Sequence, residues 1–168
     1  RYIHTYKFDQ AVREGAVPVT EDTLFELGAV TKAFTATLAA WAAESGRLSL
    51  ADHPSRHVPA LKGRPIDRAT LLHLATYTAG GLPQQFPDGI EGDAAALAWM
   101  AAWKPVAAPG MVREYSNPSI ALLGLVAAQA LRRGFAEAVE AEVFPRFGMR
   151  DSHVKLPATA LASHAWGY

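Results

Sequence analysis

Residues 25–35 have the sequence Phe25-Glu26-Leu27-Gly28-Ala29-Val30-Thr31-Lys32-Ala33-Phe34-Thr35. This pattern predicts a short strand that turns at Gly28 into a helix. Lys32 falls near the helix start, one turn after Ala29, so the two residues share a helix face. The macrodipole disfavours a cation there, which favours a working amine base over the ordinary alternative, a solvated surface lysine. Such a base would act on the residue at position 29, yet alanine has no hydroxyl proton to remove.

The helix that begins in this stretch is predicted over residues 30–45. Its apolar residues recur at helical spacing and form one stripe, which consists of Phe34, Leu38, Trp41 and Ala42. That stripe is typical of a helix packed against a core on one side. Gly46 is the predicted residue that stops the helix, because glycine readily adopts the left-handed conformation found after helix ends.

The remaining helices are predicted over residues 69–76, 94–103, 119–133 and 135–143. Asp67 and Asp93 are the predicted N-caps of the first two. Ser116 or Asn117 caps the third, where Pro118 suits the first turn. His73 lies between leucines and is interpreted as a core histidine.

Strand-like runs are short and lie at residues 2–8, 24–27 and 153–156, whereas residues 10–18 predict a turn or loop. The predicted fold class is therefore α+β, mostly helical, with strands at its margins. Too few strands are present to form an independent sheet, and we expect the chain to be one lobe of something larger.

Composition excludes several function classes. The 168 residues include 16 basic and 16 acidic side chains, so no net field attracts nucleic acid or an anionic membrane surface. The absence of cysteine excludes disulfides, thiolate catalysis and cysteine-ligated metals. The apolar runs are shorter than a membrane span, and no signal peptide is visible at the start.

The six histidines form no recognisable metal motif, so we expect neither a metal nor another cofactor. Tyr115 and Asn117, at a predicted helix start, are either a packed ring and an N-cap or a phenol and an amide beside Lys32. The polar, glycine-rich loop over residues 76–85 is not a phosphate-binding loop. Ser152-His153-Val154-Lys155 has the spacing Ser-x-x-Lys by chance, because it lies in a predicted strand.

Several segments together resemble the class C serine β-lactamases and the related penicillin-binding proteins and esterases. The segments are Phe25 to Lys32, Leu71-Leu72-His73-Leu74-Ala75-Thr76-Tyr77-Thr78-Ala79-Gly80-Gly81-Leu82-Pro83, Tyr115-Ser116-Asn117 and Ala165-Trp166-Gly167-Tyr168. The distance of 86 residues from position 29 to Tyr115 also suits class C enzymes. The resemblance implies a β-lactamase/transpeptidase-like fold. Residues 1–28 would be strands of its α/β lobe, and residues 29–168 would be its helical lobe, returning toward the sheet.

The resemblance also implies a role for each candidate residue. Position 29 is the family's serine nucleophile, which attacks the lactam carbonyl, and its backbone N–H forms half of the oxyanion hole. Lys32 and Tyr115 handle the proton. Asn117 contacts the lysine and the amide side chain of the substrate, and Gln85 is a second contact to that side chain. The implied ligand is a β-lactam or an acyl-peptide-like small molecule, and the implied location is the periplasm.

This chain departs from the family pattern in two ways. Ala29 replaces the nucleophilic serine, so the resemblance implies that the chain binds without turning over. The family's Lys-Thr-Gly strand has no counterpart before Tyr168, and a complementary chain is one possible source of the sheet. Three alternatives stay open: a β-lactamase-like hydrolase without its nucleophile, a non-catalytic β-lactam- or peptide-binding protein, and an esterase or D-amino-acid peptidase.

Overall fold

The computed structural model describes residues 10–12 and 17–166. The chain divides into two compact units, Arg1–Thr31 with His153–Tyr168 and Lys32–Ser152. The elements are strands β1 (Gln10–Val12) and β2 (Val17–Pro18), then helices α1 (Thr31–Glu44), α2 (Leu71–Ala75), α3 (Gly92–Ala102), α4 (Asn117–Ala130) and α5 (Phe135–Ala138). The α+β, mostly helical fold class is confirmed. The division of the chain into lobes at residues 28 and 29 stays a prediction.

The smaller unit contains the described strands. β1 and β2 pair antiparallel with an irregular register, so the predicted loop over residues 10–18 is wrong in part. Leu24 forms an isolated parallel bridge with His164, where a strand over 24–27 was expected. The N–H of Trp166 donates to the carbonyl of Ala11 at 3.1 Å, so the segment after residue 163 continues the pairing. The predicted strand over residues 2–8 lies outside the described residues.

The predicted strand over residues 153–156 is also wrong. Those residues are irregular, and a 3-10 turn follows them over Ala158–Ser163. Alternation of apolar and polar residues is a weak signal by itself, because strand formation depends on the tertiary context of the segment. The predicted orientation of Ser152 and Lys155 on opposite strand faces therefore has no basis.

Helix α1 confirms the stripe predicted after Gly28. Leu38 and Ala42 are fully buried, and Phe34 packs edge-to-face on Phe144 with ring centres 5.4 Å apart. Trp41 lies at the rim, under the guanidinium of Arg146. The helix ends as predicted at Gly46, which has φ +71°. The N–H groups of Gly46 and of the next residue return to the carbonyls of residues 43 and 42, the pattern of a Schellman cap.

Helix α2 begins differently from the prediction. Its N-cap is Thr70, whose Oγ1 accepts the N–H of His73 while His73 Nδ1 accepts the N–H of Thr70. His73 is thus a half-buried capping residue rather than a core histidine. Asp67 lies in the preceding 3-10 turn, Pro65–Arg68, and accepts the N–H of Ser55 at 2.8 Å. A capping box satisfies two backbone donors at once, so Thr70 is the better cap.

Helix α4 is the centre of the larger unit. Ser116 caps it, accepting the N–H of Ser119, and Pro118 lies in the first turn, as predicted. Most of its side chains are buried. A Cβ at Gly124 would lie 3.1 Å from both Phe135 and Thr35, so glycine permits the close approach of α1 and α5. The helix ends at Ala130, earlier than the predicted Arg133.

The boundaries of the other two helices shift. α3 begins at Gly92, and its cap position, Glu91, makes no side-chain capping bond, so Asp93 is not the N-cap. α5 widens after Ala138 into a π-helical turn, Val139–Val143, within the span that was predicted as one helix. No single helix among the described residues is long and apolar enough to cross a membrane; α4 and residues 135–147 pass such a test only as a pair bent by 74°.

Candidate active site

The predicted site residues fall into both units. Ala29 belongs to the smaller unit and lies exposed in the 3-10 turn Gly28–Val30, whose glycine has φ +55°. Lys32, Tyr115, Asn117 and Gln85 belong to the larger unit. The structure brings these four together as two contacting pairs.

The first pair is Lys32 with Tyr115. The Nζ atom of Lys32 lies over the Tyr115 ring, 4.9 Å from the ring centre. This distance is within the range of cation–π attraction. The Tyr115 side chain is 41% exposed, so a ligand can reach a phenol that already lies beside an amine. An adjacent amine and phenol are groups that can exchange a proton with a reacting hydroxyl or water.

The second pair is Asn117 with Gln85. The Nδ2 atom of Asn117 donates to Gln85 Oε1 at 2.8 Å, and the N–H of Asn117 donates to the carbonyl of Gln84 at 2.9 Å. Asn117 Oδ1 is buried and has no hydrogen-bond partner in the part of the chain that the structure describes. A buried acceptor without a donor is costly. This atom is therefore available to an N–H or ammonium donor.

The loop over residues 76–85 is hydrogen-bonded to the segment that carries Tyr115 and Asn117. Its Tyr77 carbonyl accepts the N–H of Glu114 at 3.0 Å, and its Thr78 carbonyl accepts the N–H of Gly110 at 2.8 Å. At the other end of the loop, Ser116 Oγ donates to the Pro83 carbonyl at 2.7 Å. These bonds join the loop to residues just before the Tyr-x-Asn segment and to the segment itself.

Gly80 allows the same loop to pack closely against the segment 105–107. It has φ +118°, and a Cβ there would lie 2.6 Å from the Ala107 carbonyl oxygen and 2.9 Å from Pro105. The Gly80 carbonyl accepts the N–H of Val106 at 2.9 Å. Only a residue without a side chain lets the two loops approach this closely.

A surface cavity of about 250 Å³ lies on the flank of the same two loops. Arg68, Ala79 and Val106 are among its walls, and none of the predicted site residues lines it. Within the described residues, no group of three or more histidine or acidic side chains is placed to hold a metal ion. The predicted site residues Lys32, Tyr115, Asn117 and Gln85 offer an amine, a phenol and two amides.

Sequence reasoning missed one residue of this site. The rings of Tyr77 and Tyr115 are 5.2 Å apart, inclined at 54°. Tyr77 is part of the segment Leu71 to Pro83 that carries the family resemblance, but its residue type and spacing assign it no role. The contact depends on a pairing of two loops that are 38 positions apart in the chain.

Comparison with known proteins identifies the family to which this chain belongs. The family model described as Beta-lactamase matches residues 2–168, and the chain belongs to that family. Among solved structures, a class C β-lactamase superposes with a TM-score of 0.90 at 40% identity, over 97% of this chain and 45% of that one.

Particular relatives agree with this assignment. A β-lactamase of Pseudomonas fluorescens is 44% identical over 163 residues, which are 97% of this chain and 46% of that protein. The structure named β-lactamase/D-alanine carboxypeptidase from Pseudomonas syringae has a TM-score of 0.90 at 39% identity, over 97% of this chain and 46% of that one. The chain thus spans about half the length of these relatives.

Proposed function

We propose that this chain carries the proton-handling and side-chain-binding groups of a class C type β-lactam site, and that with Ala29 it binds a β-lactam without hydrolysing it. The contact of Lys32 Nζ with the Tyr115 ring, in a member of the β-lactamase family, is the observation that carries the proposal. Family relationship alone would not assign a working role to these residues.

The proposed roles follow from the chemistry of each group. In the reaction, a hydroxyl oxygen at position 29 would bond to the lactam carbonyl carbon, the lactam C–N bond would break, and the hydroxyl proton would pass to the nitrogen. Lys32 and Tyr115 are the pair that would carry that proton. Asn117 and Gln85 would bind the amide side chain of the ligand, with the unpartnered Asn117 Oδ1 as an acceptor.

With alanine at position 29, the chain lacks the hydroxyl oxygen that would form the covalent bond. Without a hydroxyl at that position, the amine and phenol have no nucleophile at position 29 to activate, and we expect binding without acyl transfer. We therefore expect no burst of product and no covalent adduct when the chain meets a β-lactam. An adduct found on any residue by intact-protein mass spectrometry would contradict this.

The test restores the hydroxyl. Ala29→Ser is made in the chain at the length its gene encodes, and hydrolysis of a chromogenic cephalosporin is followed. We expect the rate to rise by at least about 1,000-fold over the unchanged chain, the scale on which a missing nucleophile acts. Ala33→Ser is the matched control, because it adds a hydroxyl at an exposed alanine near the same helix start and should restore nothing. Equal inactivity of Ala29→Ser and its control would refute the hydrolase reading.

A second ligand class, D-alanyl peptides, is tested by binding, because the Pseudomonas syringae neighbour is also named as a D-alanine carboxypeptidase. An acyl-D-alanyl-D-alanine peptide offers the same amide side chain to Asn117 and Gln85. Calorimetric titration of the unchanged chain with this peptide and with a cephalosporin compares its affinities for the two ligands. Tighter binding of the peptide would favour the peptidase alternative over the β-lactamase one.

We also propose a periplasmic location, on the basis of family resemblance. Cell fractionation of the producing organism with an antibody against this chain tests it. Recovery of the protein with the cytosolic markers would contradict the proposal.

A further inference from the structure

We infer that Tyr77 is a positioning residue for the proposed reaction: its ring holds the Tyr115 phenol in place beside Lys32. The inference rests on the proposed function for the roles of Tyr115 and Lys32. It adds a residue on a different loop, which acts through Tyr115 and not on the ligand.

The contacts of the two rings form a continuous chain. Lys32 Nζ lies 4.9 Å from the centre of the Tyr115 ring, and that ring lies 5.2 Å from the ring of Tyr77. The guanidinium of Arg113 lies over the Tyr77 ring at 5.6 Å. Inclined aromatic pairs at this separation attract each other beyond their buried area. Tyr115, which is 41% exposed, therefore depends on Tyr77 for much of its lateral support.

The backbone fixes Tyr77 in register with this partner. The N–H of Glu114, the residue before Tyr115, donates to the Tyr77 carbonyl at 3.0 Å. Three residues later in the loop, Gly80 packs directly against the 105–107 segment. The pairing of the loops thus sets the ring of one tyrosine against the ring of the other.

The backbone conformation of Tyr77 argues against a purely structural role. Tyr77 has φ +60°, a left-handed conformation that bulky residues rarely adopt and that glycine or asparagine adopts with little strain. A residue that served only the turn would be one of those two types. Keeping a tyrosine there despite the strain indicates that its ring has a function.

The experiment separates ring, hydroxyl and backbone. Tyr77→Asn removes the ring and tolerates φ > 0, and Tyr77→Phe keeps the ring. Arg132→Asn is the matched control, because Arg132 is the other non-glycine residue with positive φ among the described residues, at +56°. All three are made in the Ala29→Ser chain. We expect Tyr77→Asn to lower kcat by about tenfold or more with KM changed less than about threefold. Tyr77→Phe should retain most of kcat, and Arg132→Asn should retain all of it.

Two kinetic results would each overturn the inference. One is an unchanged kcat in Tyr77→Asn, and the other is a Tyr77→Phe variant that is as impaired as Tyr77→Asn, since the ring would then not be the acting group. Thermal melting of each variant is recorded, because a kcat loss that parallels unfolding would also count against it.

A second readout does not need turnover, so it decides the matter even if Ala29→Ser proves inactive and the proposed function fails. The unchanged chain is labelled with meta-fluorotyrosine, and the Tyr115 resonance is assigned by its loss in Tyr115→Phe. Tyr77→Asn should shift and broaden that fluorine resonance, whereas Tyr77→Phe should leave it near its original position. A Tyr115 resonance that is indifferent to the loss of the Tyr77 ring would overturn the inference independently of any activity.

Discussion

Lys32 Nζ lies 4.9 Å from the centre of the Tyr115 ring, although 83 positions separate the two residues in the chain. Lys32 is placed by the first turn of α1, and Tyr115 is placed by the loop that precedes α4. The relationship therefore depends on how α4 packs against α1, and Gly124 is a point where α4 lies close to Thr35 of α1. The core of the larger unit and the contact between Lys32 and Tyr115 are parts of one arrangement.

This arrangement makes Lys32 the first residue to test. In the Ala29→Ser chain, Lys32→Met should lower the hydrolysis rate of a chromogenic cephalosporin by at least about 100-fold, because the proposed base is lost. Lys32→Arg should not rescue it, since a guanidinium stays protonated and cannot act as a base. Steady-state kinetics measures both variants. Full activity of Lys32→Arg would show that only the positive charge matters.

The junction of α2 and α4 offers a test of stability. Ser119 is fully buried, and its Oγ donates to the Leu74 carbonyl at 2.7 Å. Ser119→Ala removes this short bond and leaves the Leu74 carbonyl with only the long bond from the Tyr77 N–H, at 3.4 Å. The expected loss is about 1–3 kcal/mol in the free energy of unfolding. Urea denaturation measures it.

Ser45→Ala is the control for Ser119→Ala. Ser45 Oγ also donates to a backbone carbonyl, that of Trp41, but the bond is exposed and water can replace the hydroxyl. We expect a change within about 0.5 kcal/mol, as for other surface substitutions. Equal losses for the two serines would show that burial of the Leu74 carbonyl is not the cause.

Gly80 lies where the loop over residues 76–85 packs against the segment 105–107. Gly80→Ala would place a Cβ 2.6 Å from the Ala107 carbonyl oxygen and 2.9 Å from the Cβ of Pro105. Neither a backbone carbonyl nor a proline ring is a flexible group that can move aside. We expect a destabilisation of about 2 kcal/mol or more from overpacking and strain together. Gly89→Ala isolates the crowding, because Gly89 also has positive φ (+87°) but nothing lies within 4 Å of the added atom. Thermal unfolding of both variants should show the larger drop for Gly80.

The lowered pKa of Asp52 predicts how the free energy of unfolding depends on pH. Burial of its carboxyl group raises the pKa, but the hydrogen bonds from His57 and from the N–H of Ser49, together with the charges of Arg56 and His57, outweigh this and leave the pKa of Asp52 lowered. Its side chain is 10% exposed and lies 2.9 Å from His57 Nε2. A lowered folded-state pKa contributes stability that is present above the unfolded value of about 4 and is lost as pH falls through the folded value.

The measurement compares the unchanged chain with Asp52→Asn from about pH 6 to pH 2.5, across that window. The difference in free energy of unfolding should be constant above about pH 5 and should shrink below about pH 4. A difference that stayed constant into acid would show that the Asp52 charge contributes nothing.

The sequence predicts the parts of this protein that depend on local chemistry. Periodicity predicted the apolar stripe of α1, glycine predicted its end at Gly46, and serine with proline predicted the start of α4. Local signals failed where two neighbouring residues could both serve as the N-cap of one helix, as with Asp67 and Thr70 before α2. They also failed for the short strands, whose hydrogen bonds go to residues distant in the chain.

For the site, sequence alone named Lys32, Tyr115, Asn117 and Gln85 by resemblance, and it showed that position 29 lacks a hydroxyl. Only the tertiary structure brought Lys32 to the Tyr115 ring, joined Asn117 to Gln85 and set Tyr77 against Tyr115. These contacts link residues 32 to 83 positions apart, so they follow from helix packing and loop pairing. A helix period or a turn residue specifies the conformation of its own segment, whereas the partner of a side chain is decided by which segments the core brings together.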